Sequence, residues 1–169
     1  STLSGHRILD TMSGCGIVIV HDPDIGTSRA DISGNIIANH TCSGYARDAI
    51  LAKNAGTVAV LRDNLFYNNA NNVGIGRDPS DNAWPSVTQV GSVSGDPRFV
   101  SPQTYNYHVR GDSAAVNRLL GGLAGLDIDA QKRPYPAGGL ADIGADEAYT
   151  ALSTSSKTVT PRTIDTRRG

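Results

Sequence analysis

Leu3-Ser4-Gly5-His6-Arg7-Ile8-Leu9-Asp10, Ile32-Ser33-Gly34-Asn35-Ile36-Ile37-Ala38-Asn39 and Leu61-Arg62-Asp63-Asn64-Leu65-Phe66-Tyr67-Asn68 are three versions of one block. The offset is 29 both times (32 − 3 and 61 − 32), and the columns are chemically alike: Leu/Ile/Leu, His/Asn/Asn, Ile/Ile/Phe and Asp/Asn/Asn. Short apolar runs lie between the blocks, at Gly16–Val20 and Ala49–Ala52. A period of this length holding two or three short strands is too short for a propeller blade and too poor in helix formers for a helical solenoid. It fits one coil of a right-handed parallel β-helix, with successive coils stacked about 4.8 Å apart. Asparagine suits the corners of such a coil. It tolerates a left-handed backbone, and stacked amides hydrogen-bond from coil to coil. The expected ladder residues are His6, Asn35 and Asn64 in one column and Asp10, Asn39 and Asn68 in another.

The composition agrees. The chain has 169 residues with 19 Gly, and its sixteen acids comprise fifteen Asp and the single Glu147. Eleven Asn and only three Lys and one Met complete a set that favours turns over helices. A helical bundle is excluded, and the expected class is all-β, with about three coils, an irregular C-terminal region and a tail. The expected divisions are coils over 1–76, a long polar loop over 77–95, a closing region over 96–149 and a Ser/Thr/Arg-rich tail over 150–169. A net charge of −1 argues against a nucleic-acid-binding surface, and no apolar stretch is long enough to span a membrane.

Four further blocks follow the repeat in order: Gly95-Asp96-Pro97-Arg98-Phe99-Val100, Gly111 to Asn117, Asp127-Ile128-Asp129 with Arg133-Pro134, and Ala141-Asp142-Ile143-Gly144-Ala145-Asp146-Glu147. Together they resemble the C-terminal end of bacterial extracellular right-handed parallel β-helix proteins of the pectate-lyase-like superfamily, in the choice-of-anchor group. The chain departs from that pattern at Ala114, Asn117 and Ala130, where the family usually has Pro, Asp and Gly. The resemblance implies a secreted or cell-surface protein. It implies no particular reaction, because the fold hosts lyases, hydrolases, adhesins and stalks.

Candidate chemistry is sparse. Asp22 with Asp24, and Asp127 with Asp129, are D-x-D pairs that set two carboxylates on one side of an extended segment. They are weak calcium candidates, since calcium takes six to eight oxygens, and no other cofactor is expected. Asp142, Asp146 and Glu147 read as capping and terminal hydrogen-bond acceptors. His6, His21, His40 and His108 show no zinc spacing, and no nucleophile elbow occurs. Cys15 and Cys42 are separated by nearly one coil (42 − 15 = 27), which places them for a disulfide between neighbouring coils. Trp84, in the polar loop, is the candidate contact for a sugar or partner.

Leu3 already sits in register with no amphipathic cap before it. The expectation is the C-terminal piece of a longer solenoid, or an end covered by another copy, where head-to-tail stacking would build a filament. The leading expectation is a non-catalytic structural or adhesive module on a bacterial surface. The alternatives are a fragment of a polysaccharide lyase or glycoside hydrolase, and a carbohydrate-binding module.

Overall fold

The computed structural model describes residues 16–21, 26–41, 47–122 and 124–149, with the backbone of the strands Thr2–Ser4 and Arg7–Leu9. The chain is all-β and its main sheets are parallel; the helical content among the described residues is a 3-10 turn at Pro102–Thr104. No helix among them is long and apolar enough to cross a membrane.

Sheet one runs in the order β1 (Thr2–Ser4), β4 (Ser28–Ser33), β7 (Thr57–Arg62), β10 (Ser86–Val90). Sheet two is β2 (Arg7–Leu9), β5 (Ile36–Ala38), β8 (Leu65–Tyr67), β11 (Val93–Ser94). Sheet three is β3 (Ile17–Val20), β6 (Asp48–Lys53), β9 (Asn71–Gly76). The chain visits one strand of each sheet in turn, and each strand pairs with its counterpart from the previous circuit. Leu3 pairs with Ile32 and Ile32 with Leu61, while Ile8 pairs with Ile37 and Ile37 with Phe66, all at the same offset as the sequence blocks. Sheet three does not keep that period. Ile17 pairs with Ile50, an offset of 33 (50 − 17), and Ile50 with Val73, an offset of 23 (73 − 50). The compensating length lies in the connections, for example 39–47 between β5 and β6 against 68–70 between β8 and β9.

One face of each sheet feeds a common core. Ala30, Ile32, Ala59 and Leu61 come from sheet one, Ile37 and Phe66 from sheet two, and Ile19, Ile50 and Ala52 from sheet three. Because side chains alternate along a strand, these positions are every second residue. Sheet two is an exception in being apolar on both faces, as parallel strands buried on two sides are. Ile37 looks into the common core, whereas Ile36, Ala38 and Leu65 belong to a second cluster with Val109, Ala115, Leu119, Ala141 and Ile143.

Residues 96–149, expected as the closing region, supply the rest of that second cluster. They form a clasp along the outer face of sheet two, built from the antiparallel pairs β12 (Phe99–Ser101) with β13 (Asn106–Val109) and β14 (Gly125–Leu126) with β15 (Lys132–Arg133). The reason is the apolar outer face of β5 and β8, which needs a cover. Residues 77–95 are not all loop: β10 and β11 extend sheets one and two by a fourth rung. This rung is hidden in the sequence because its offset slips to 28 (89 − 61) and polar residues take two of the marking columns. Gln89 stands in the Leu61 column and Ser92 one step after the Asp63/Gly91 corner. The tail 150–169 lies outside the described residues.

Candidate functional site

The turns that join the sheets carry their polar chemistry. Gly34, Asp63 and Gly91 all have a left-handed backbone, at φ 67°, 51° and 67°. A Cβ at Gly91 would stand 2.1 Å from Asp63 Oδ1, so a side chain there would have to displace the Asp63 carboxylate as well as adopt the left-handed backbone. The next residues stack. Asn35 and Asn64 are fully buried, and Asn64 Oδ1 accepts both the backbone N–H and the Nδ2 of Asn35, at 3.1 Å each. Asn64 Nδ2 donates to the Ile32 carbonyl at 2.9 Å, and the Asn64 N–H reaches Ser92 Oγ at 3.3 Å. At the second corner Asn39 and Asn68 are left-handed, with φ 65° and 50°, and Asn68 Nδ2 donates to Asn39 Oδ1 at 2.9 Å. Asn69, absent from the expected ladder, takes the His40 N–H on Oδ1 at 2.9 Å. His6 and Asp10 lie outside the described residues.

The four blocks after the repeat meet in the clasp. Arg133 and Glu147 form a buried ion pair, Nε donating to Oε2 at 3.1 Å. Arg133 also donates to the carbonyls of Gly144 and Asp142. Glu147 accepts the N–H groups of Tyr135 and Asp142, and Asp142 accepts those of Asn117 and Ala148. Burial pushes the Asp142 carboxyl up to about 6. The backbone donors and Arg133 oppose that rise, and the neighbouring Glu147 adds to it. Gly144 N–H donates to the Gly34 carbonyl at 2.9 Å, and Gly121 N–H to Asp63 Oδ2 at 2.9 Å, which ties the clasp to two corners of the coils.

The turn after β14 holds Asp127 and Asp129. Asp127 Oδ1 accepts the N–H groups of Asp129 and Gln131, at 2.9 and 2.8 Å. Ala130 completes this turn with φ 61°, a conformation that costs an L-residue about 1–2 kcal/mol. Glycine removes that strain but gives an unfolded chain more freedom to lose. Ala130→Gly is therefore expected to raise stability by a net of about 0.5–1 kcal/mol, read from urea unfolding. An unchanged midpoint would refute the strain.

The same turn brings Asp129 to His108 of β13 and to Asp146, whose ligand atoms all lie within 4.8 Å of one another. His108 Nε2 is 2.9 Å from Asp129 Oδ2. Asp146 is buried, its Oδ2 accepts the Val109 N–H at 2.6 Å, and burial raises its carboxyl above the ordinary value. The sequence displays the D-x-D pair. It does not display His108 or Asp146 as companions, because only the folding of two hairpins onto each other unites them.

Trp84 is 58% exposed, and the Arg77 guanidinium lies 5.3 Å over its ring. Arg77 also lines an open groove of about 580 Å³ with Arg47, Leu51, Lys53 and Ile75, on the outer face of sheet three. Asp22, Asp24, Cys15 and Cys42 lie outside the described residues, so the first metal candidate and the disulfide have no structural description. No protein-family model matches the chain, and no curated protein or solved structure does so either.

Proposed function

We propose that the three parallel sheets are the walls of a right-handed parallel β-helix and that the chain is the terminating module of such a solenoid. Its role is structural or adhesive, on the outside of a bacterial cell, as the resemblance of its last blocks implies. Parallel connections are almost always right-handed, which supports the hand. The carrying observation is the fourth rung. The inward column of Ile32 and Leu61 ends in Gln89, and Ser86, Thr88 and Gln89 are exposed, while Val87 still packs against the core beside Ala59 and Val90 is exposed. Solenoids end in repeats with a polar outer face, and Ser86, Thr88 and Gln89 give this rung that character in part. After Ser94 the chain leaves the stack and runs back along sheet two as the clasp.

The acidic residues support a structural reading too. Asp63, Asp142, Asp146 and Glu147 each accept backbone N–H groups, and Asp31 pairs with Arg29 and Arg62. These carboxylates hold the fold together. The test is sedimentation velocity with negative-stain imaging over a wide concentration range. A terminating module gives particles of one chain, or of a fixed small number of chains. Filaments that lengthen with concentration would overturn termination and establish head-to-tail growth instead.

A further inference from the structure

The environment of His108 identifies a ligand that the hydrogen-bond network does not provide. His108 Nδ1 lies 2.6 Å from Asn106 Oδ1, and the same Oδ1 accepts the His108 backbone N–H at 3.2 Å. Oδ1 is thus an acceptor, so Nδ1 carries a hydrogen, and in the neutral ring Nε2 presents a lone pair. This outer hydrogen bond is the arrangement that fixes a metal-binding histidine. Nε2 has no exposed surface and no hydrogen-bond partner, although Asp129 Oδ2 is only 2.9 Å away. A lone pair and a carboxylate oxygen at that distance repel unless a cation sits between them. An imidazolium N–H would serve if it pointed at the oxygen, but the approach is not aligned as a hydrogen bond.

We propose that His108, Asp129 and Asp146 form a binding site for a first-row divalent transition cation, zinc or manganese. Two cis ligands about 2.1 Å from an octahedral metal are separated by about 3.0 Å, close to the observed 2.9 Å between nitrogen and oxygen, whereas tetrahedral ligands lie about 3.4 Å apart. Asp127 stands beside the site with Oδ2 buried and without a hydrogen-bond partner, adding negative charge. The half-exposed sides of His108 and Asp129 leave room for water ligands. One imidazole with two carboxylates is a nitrogen–oxygen set that these metals take, whereas calcium takes oxygen almost alone. The cation joins β13, the 127–131 turn and the segment at Asp146, three pieces of the clasp that are distant in sequence.

The experiment uses the full chain, freed of metal by a chelator and dialysis. Zn²⁺, Mn²⁺, Co²⁺ and Ca²⁺ are added separately and followed by calorimetry and thermal melting, with the visible absorption of Co²⁺ as a reporter of nitrogen–oxygen ligation. The expected result is one equivalent of Zn²⁺ or Mn²⁺ per chain and a melting temperature higher by roughly 5–10 °C at a hundredfold excess over Kd. Ca²⁺ at the same concentration gives no comparable rise. Asp129→Asn and His108→Gln each weaken binding at least tenfold. The Asp129 carboxylate faces His108 and is half exposed, so the metal-free Asp129→Asn chain should melt close to the metal-free parent. No binding of Zn²⁺ or Mn²⁺ at millimolar concentration would overturn the site. So would binding that both substitutions leave unchanged, or a preference for Ca²⁺.

Discussion

Asn64→Leu should remove about 3–5 kcal/mol of stability, the largest loss expected from any one side chain of the coils. The shapes are nearly the same, so the effect is one of hydrogen bonding. Leucine leaves the Asn35 N–H and one Nδ2 hydrogen without their acceptor, and takes the amide donor from the Ile32 carbonyl. Each orphaned buried group costs about 1–3 kcal/mol. Domains of this size have about 5–15 kcal/mol in total, so the variant should melt roughly 10 °C lower by circular dichroism. Asn68→Gly is the comparison. It keeps the left-handed corner at φ 50°, removes one hydrogen bond from an exposed residue and should cost no more than about 1.5 kcal/mol. Equal losses for the two would mean that the buried ladder contributes no more than the exposed one.

Arg133→Met should cost about 3–5 kcal/mol, because it leaves the Glu147 carboxylate charged and buried without its counter-ion. The loss belongs to the clasp. Proteolysis within 96–149 should quicken, and a dye that binds apolar surface should find Ile36, Ala38 and Leu65. The pH dependence distinguishes this from a mere loss of packing. A carboxyl whose folded pKa is raised, as burial raises that of Asp142 to about 6, binds more protons folded than unfolded. Its contribution is full below the ordinary value near 3.8 and is lost as pH rises through about 6. Removing Arg133 takes away a charge that opposes the rise, so the window widens. The deficit of Arg133→Met relative to the parent should therefore shrink as pH falls from 7 towards 5. A deficit that is constant with pH would leave only the packing term.

The repeat was legible because two sheets keep it without a slip, from Leu3 through Ile32 to Leu61 and from Ile8 through Ile37 to Phe66. The asparagine columns were legible for the same reason, since a stacked amide needs its partner at the same corner of the next rung. Sheet three was harder to read. Its unequal offsets destroy any column, although Ile17, Ile50 and Val73 stack as well as the others. The fourth rung was illegible because Gln89 and Ser92 replace the residues that marked the earlier ones. At the clasp, Asp127 and Asp129 stood out as neighbours in the chain. Arg133 with Glu147, and His108 with Asp146, are set together by hairpins, and no local spacing carries that information.

The two-faced burial of sheet two has a consequence for the order of events during synthesis. The last strand of that sheet, β11, is complete at Ser94, yet Ile36 and Leu65 are covered only by residues that follow, as far as Ile143. The hydrogen bond from Gly144 to Gly34 joins residues 110 positions apart (144 − 34). Contacts of such long range form slowly. A chain made from its N-terminus thus carries completed parallel sheets with one apolar face open to its surroundings until the segment at Gly144 emerges. The most adhesive moment in the life of this molecule is the interval before the clasp arrives. Cutting the chain short between Ser94 and Gly144 would make that interval permanent.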